Sequence, residues 1–296
     1  MKETLRFIGN TPMYHIEGTH IYVKLEKYNA AGSIKDRAVL GMLQQALHDG
    51  IIKEDSVLIE ATSGNTGIAL AMLGAVYHIP VVILMPDTMS LERRQLVQAY
   101  GAQLILTPGA KGMQGAMDEM KALMQEHPAY VALSQFDNPA NPQIHYETTG
   151  KEILEQVEHI DAFVACVGTG GTFTGVARRL KQANPKIRCI AGEPRNSALL
   201  SGYQAGPHKI QGIGANFVPK NFDRSICDDI MLIEDEDALT ETVRFAKETG
   251  ILVGISSGAN IALAKRLQTY DPEQTIVTIA PDGGEKYLSV LEFSHV

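Results

Sequence analysis

Lys35 is the residue with the most chemistry to offer. It stands in Ala30-Ala31-Gly32-Ser33-Ile34-Lys35-Asp36-Arg37, after a glycine-serine turn and before helix-forming sequence. A lysine alone is ordinarily a solvated surface group, but two later loops change that reading. Gly168-Thr169-Gly170-Gly171-Thr172 follows an apolar strand and opens a helix. Thr62-Ser63-Gly64-Asn65-Thr66 has the same setting with fewer glycines. N–H groups at a helix start have no intrahelical acceptor, and the helix dipole adds partial positive charge. The first loop suits a phosphate, the second an amino-acid carboxylate, and Asn65 suits a phenolic oxygen. A lysine facing two such loops, with no second catalytic base, is what Schiff-base chemistry on pyridoxal phosphate requires.

Other chemistries find less support. G-x-G-x-x-G from Gly168 would require glycine where Phe173 stands, and no G-x-x-x-x-G-K-[ST] occurs, so a small monophosphate is favoured over a nucleotide. Gly254-Ile255-Ser256-Ser257-Gly258 matches the G-x-S-x-G elbow of serine hydrolases. Only His295 follows it, at the chain end, so a glycine-serine wall beside the cleft is the better account. Cys166, Cys189 and Cys227 form no CxxC, and the nine histidines form no HExxH, so no metal site is expected. Cys166 and Cys189 lie in apolar strand-like runs, where a thiol acts as a small buried hydrophobe.

The elements that must position these groups alternate strand and helix. Strands are predicted at Ile21–Leu25, Ser56–Glu60, Pro80–Met85, Gln103–Thr107, Ala162–Val167, Ile187–Ala191 and Thr275–Ala280. Helices are predicted at Arg37–His48, Ile68–Tyr77, Ser90–Tyr100, from the glycine loop through Leu180, and at Glu236–Thr249. Continuously apolar strands imply sheets covered on both faces, hence an α/β fold of two doubly wound lobes with a cleft between them. The proline-rich Gln135–Pro142 loop is the expected hinge. With 296 residues, 45% hydrophobic and 20% charged, the chain can bury a sizeable core. A net charge of −8 argues against nucleic acid. No signal segment and no apolar run of roughly 18 residues is present, so a cytoplasmic protein without membrane contact is expected.

Asn29–Arg37, Glu60–Gly67, Gln135–His145, Gly168–Gly175, Gly212–Phe217, Gly254–Ala259 and Gly284–Ser289 together resemble the cysteine synthase (O-acetylserine sulfhydrylase) family, over nearly the whole chain. Met85-Pro86-Asp87 and Glu92-Arg93-Arg94 resemble its B-type, CysM-like members more than the A-type. The resemblance implies pyridoxal-phosphate fold type II, similar to the tryptophan synthase β chain. It implies a smaller mobile domain at 36–140 and a larger phosphate-binding domain at 1–35 plus 141–296. By position, Lys35 resembles the lysine joined to the cofactor, Asn65 the partner of its 3′-oxygen, and Gly168, Thr169, Gly170, Gly171 and Thr172 its phosphate cup. Thr62, Ser63, Thr66 and Gln135 resemble the group that clamps the substrate carboxylate, and Ser256 the wall beside the pyridine ring.

The implied reaction is β-replacement, forming L-cysteine from O-acetyl-L-serine and a sulfur donor (sulfide or thiosulfate) through an aminoacrylate. The alternative within this chemistry is cystathionine or lanthionine synthesis from serine or O-acetylserine, and the remote one is the serine hydrolase. A homodimer is implied too, and serine acetyltransferase is raised as a partner with no residue pattern here to support it. Two departures bear on the site. Asn216 stands where the family has glycine, placing a polar group near the leaving-group end of the substrate. Pro281-Asp282-Gly283-Gly284 lacks the hydroxyl that many members set against the pyridine nitrogen, leaving Asp282 as the group that could reach it.

Overall fold

The computed structural model describes residues 2–62, 64–289 and 291. The strands, in chain order, are β1 (Met13–His15), β2 (Ile21–Leu25), β3 (Val57–Ala61), β4 (Val81–Pro86), β5 (Gln103–Thr107), β6 (Tyr130–Val131), β7 (Ala162–Cys166), β8 (Arg188–Pro194), β9 (Asp229–Ile233) and β10 (Ile276–Ala280). The helices are α1 (Lys35–His48), α2 (Asn65–Tyr77), α3 (Leu91–Ala99), α4 (Gly112–Glu126), α5 (Ala140–Ile144), α6 (Gly150–Gln156), α7 (Gly171–Ala183), α8 (Asp235–Thr249) and α9 (Ile255–Gln268). A π-helical turn, His145–Thr149, joins α5 to α6.

Among the described residues the strands form two sheets, ordered β1-β2-β10-β7-β8-β9 and β5-β4-β3-β6. All pairings are parallel except β1 with β2. Every residue of β4 and of β10 is buried, which is why both runs read as continuously apolar. In the larger sheet, Ile21, Val164 and Ile276 pack with Ile255, Ile261 and Leu263 of α9. Phe163 and Val277 point to the other face, against Phe173, Val176 and Leu180 of α7. In the smaller sheet, Leu58 and Ile83 meet Leu43 and Ile68 of α1 and α2, while Ile59, Val82 and Leu84 meet Ala116 of α4. The two covered sheets expected from the sequence are present, in an α/β architecture.

The sequence pattern predicts no element between residues 108 and 134, yet α4 fills that stretch. Its methionines, Met113, Met117, Met120 and Met124, lie at helical spacing and pack on the smaller sheet. Gly112 and Gly115 at its start mask the helical signal. The short strands β1, β6 and β9 also escape the pattern. Each is an edge strand, partly exposed and weakly marked. The helix bearing Lys35 starts at that residue, two positions earlier than the apolar spacing suggests.

A buried ion network ties the start of α1 to distant segments. Arg37 Nε lies 2.7 Å from Glu26 Oε2, Arg37 Nη1 lies 2.6 Å from Glu152 Oε1, and Lys24 Nζ lies 2.8 Å from Glu152 Oε2. Burial alone would raise the Glu152 carboxyl, but Arg37 and Lys24 hold it at about 2.

Candidate active site

β3, β7 and β10 are parallel strands, and the loops of interest all leave their carboxyl ends. That is where ligands sit in open α/β sheets, because the following helix starts face the same crevice. β3 leads into 62–64 and Asn65, β7 into 167–170 and Gly171, and β10 into Pro281 and Asp282.

Lys35 is fixed by its neighbours rather than by its own helix alone. Gly32 turns the chain with φ +77°, a value that favours glycine. Lys35 N–H donates to Ser33 Oγ at 3.2 Å, and Ile34 N–H donates to the Pro281 carbonyl at 2.8 Å. Lys286 Nζ donates to the Gly32 carbonyl at 2.9 Å, closing the turn from behind. The half-buried Lys35 side chain reaches a cleft. Burial lowers its pKa, opposed by the nearby charge of Asp282, which moves the amine towards the neutral form that acts as nucleophile or base.

Asn65, Gly168, Thr169, Gly170, Thr172 and Ser256 line that same cleft. Gly170 caps α7 with φ +84°, and a Cβ there would lie 2.6 Å from Phe222 N, so only glycine fits. Gly171 begins α7 and packs on Asn141 behind the loop. Asn141 Nδ2 donates to Thr169 Oγ1 at 3.0 Å, while Thr172 Oγ1 stands 3.3 Å from His145 Nε2. Burial keeps the His145 imidazole well below its ordinary pKa, hence neutral. The donor set fits pyridoxal phosphate. The α7 start with its two threonine hydroxyls suits the phosphate, Asn65 the phenolic oxygen, and Lys35 the aldehyde.

Of the residues expected to clamp a carboxylate, Thr66 follows Asn65 on α2 and is joined to Gln135, and neither these two nor Thr62 line the cleft. Thr66 Oγ1 donates to Gln135 Oε1 at 2.8 Å, and Gln135 Nε2 points at Glu60 Oε1, 3.5 Å away. Asn141 and Asn221 each donate to the Gln135 carbonyl, at 2.8 and 2.9 Å. Thr62 Oγ1 accepts from Gly64 N–H at 3.3 Å. Thr62, Thr66 and Gln135 are buried. Ser63 lies outside the described residues, and Asn216 is exposed on its loop rather than lining the cleft. Ser256 is buried at the second position of α9 and, among the described residues, hydrogen-bonds no histidine. His295, the residue a hydrolase would need, lies outside the described residues.

Sequence reasoning passed over several groups that hold this site. Asn141, which connects Gln135 to Thr169, lies in a doubled Asn-Pro run that reads as a loop. Glu60 is a buried carboxyl that burial raises to about 7, with the Gln135 hydrogen bond opposing. Its position in an apolar strand was the available signal. Asp282, weighed from sequence against the pyridine nitrogen, is fully buried with Oδ2 accepting from Asn65 Nδ2 (2.7 Å) and Tyr287 OH (2.6 Å).

Known proteins resemble this chain in sequence and fold. A cysteine synthase of Staphylococcus aureus is 46% identical over 298 residues, covering 98% of this chain and 96% of that protein. The crystal structure of a cysteine synthase from Entamoeba histolytica superposes with a TM-score of 0.93 at 42% identity, over 98% of this chain and 90% of that one. An O-ureido-L-serine synthase superposes with a TM-score of 0.95 at 41% identity, over all of this chain and 96% of that one. The family model described as "Pyridoxal-phosphate dependent enzyme" matches residues 4–282. With a lysine, an asparagine and a glycine-threonine helix start around one cleft, the chain belongs to the family of pyridoxal-phosphate-dependent enzymes.

Proposed function

We propose that this chain forms L-cysteine from O-acetyl-L-serine and a sulfur donor, sulfide or thiosulfate, by β-replacement. The observation that carries the reading is a single cleft lined by the Lys35 amine, the Asn65 amide and the Gly168–Thr172 helix start. The cysteine synthases among its relatives support the substrate class. Pyridoxal phosphate, when bound, supplies the electron sink for the charge left at the substrate α-carbon.

The chain's own residues do the rest. Gly168–Thr172 hold the phosphate and thereby orient the reacting end, and Asn65 donates to the phenolic oxygen. Thr62, Ser63, Thr66 and Gln135 bind the amino-acid carboxylate, which directs the α-hydrogen at Lys35. Lys35 Nζ, its pKa lowered by burial, takes that proton as acetate departs from the β-carbon. The 36–140 lobe closes on the bound carboxylate and keeps water from the cleft until the sulfur nucleophile arrives. Ser256 packs along the ring, and Asn216 on its exposed loop meets the incoming donor. The protein acts on small molecules in the cytoplasm as a homodimer.

A spectral titration with O-acetylserine, followed by a panel of thiol donors scored by product mass, tests the assignment. Cysteine from sulfide or thiosulfate is the expected product, whereas cystathionine formed preferentially from homocysteine would replace it. Lys35→Ala is expected to abolish the visible absorbance of the lysine-bound cofactor and to lower turnover by about 10²–10⁴-fold, the range for losing a positioned acid–base group.

A further inference from the structure

The segment after β10 carries three buried side chains that the chemistry above does not use: Asp282, Lys286 and Tyr287. Two of them grip the Asn65 amide from its opposite poles. Lys286 Nζ donates to Asn65 Oδ1 at 3.2 Å, and Asn65 Nδ2 donates to Asp282 Oδ2 at 2.7 Å. A flipped amide would set its NH2 against an ammonium and its carbonyl against a carboxylate, so the complementary pair fixes one orientation. Asp282 Oδ2 also accepts from Tyr287 OH at 2.6 Å, and the Tyr287 ring is covered by the Arg93 guanidinium of α3, 5.0 Å from its centroid. Lys286 reaches further, to the Ala31 and Gly32 carbonyls of the turn ahead of Lys35. The Asn65 amide has two N–H bonds. Asp282 takes one, which leaves the second for the cleft that Asn65 lines.

We propose that Asp282, Lys286 and Tyr287 are positioning residues that lock the Asn65 amide as a donor towards the phenolic oxygen of the cofactor, an inference that rests on the role given to Asn65 above. The chemistry demands this orientation. An anionic oxygen is stabilised by an N–H and repelled by a carbonyl, and a free asparagine presents either. Asp282 thus acts through Asn65 by its Oδ2, while its Oδ1, which has no hydrogen-bond partner among the described residues, packs against Gly254.

The test uses cofactor-loaded enzyme with Asn65→Ala, Asp282→Ala, Asp282→Asn, Tyr287→Phe and the Asn65→Ala/Asp282→Ala double variant. The wavelength and pH profile of the visible cofactor band and the affinity for pyridoxal phosphate are measured. Asp282→Ala should move the band in the same direction as Asn65→Ala and weaken cofactor binding by about tenfold, the loss of one charge-assisted hydrogen bond. Asp282→Asn, which keeps an acceptor oxygen for Asn65, should recover most of that. The double variant should be no worse than Asn65→Ala, since groups acting through one another are not additive. Additive losses, or an unmoved band in Asp282→Ala beside a moved one in Asn65→Ala, overturn the proposal. An unmoved band and affinity in Asn65→Ala remove the role of Asn65 itself, and the proposal with it. Should Asp282→Ala fail to fold, Tyr287→Phe decides, with a smaller shift of the same sign in support and no shift against.

Discussion

Lys35 and Glu60 show how burial tunes single groups near this cleft in opposite senses. Removing a charge from water disfavours the charged form, so the amine moves down and the carboxyl moves up, to about 7 for Glu60. Glu60 should leave a signature in stability. Between its ordinary value of 4.5 and about 7, the unfolded chain has released this proton while the folded chain retains it. Stability therefore falls as pH rises across that window. Glu60→Gln should flatten that part of the slope, seen as a smaller difference between urea midpoints at pH 5 and pH 7. A full wild-type slope in the variant would assign the titration elsewhere.

At the scale of elements, the decisive feature is a helix start held tightly from behind. The loop between β7 and α7 is packed against Asn221 and Phe222 at Gly170, with no room there for a Cβ. Gly170→Ala is expected to lower stability by about 1–3 kcal/mol, the cost of a strained backbone conformation, and to weaken cofactor binding beyond that of a surface Gly→Ala control. Chemical denaturation and cofactor titration measure the two effects separately. The strand and helix pattern around this loop was legible because apolar periodicity is local. The packing behind it was not, because Asn141 and Phe222 come to Gly171 and Gly170 from elsewhere in the chain.

Across the whole molecule, Arg37 draws together segments far apart in sequence, pairing with Glu26 and Glu152 while Lys24 shares Glu152. Deleting one member leaves buried charges uncompensated. Arg37→Ala should cost about 3–5 kcal/mol in urea unfolding, whereas a surface pair such as Lys151 with Glu155 should matter by less than about 1 kcal/mol. The same network sets acid behaviour. Glu152, held at about 2, contributes stability that is fully present above its ordinary 4.5 and is lost as pH falls towards 2.

By itself, the sequence determined the chemistry on offer and the elements that carry it. Lysine, asparagine and a glycine-threonine loop announce themselves by residue type and local spacing, and apolar strands by continuity. Only the tertiary structure decided which oxygen each polar group meets. Nothing local relates Asn65 to Asp282, 217 positions on, or Gln135 to Glu60. Those pairings exist because the ends of β3 and β10, strands of different sheets, meet at Asn65 and Asp282, while β6 beside β3 leads to Gln135, and buried polar atoms must find partners.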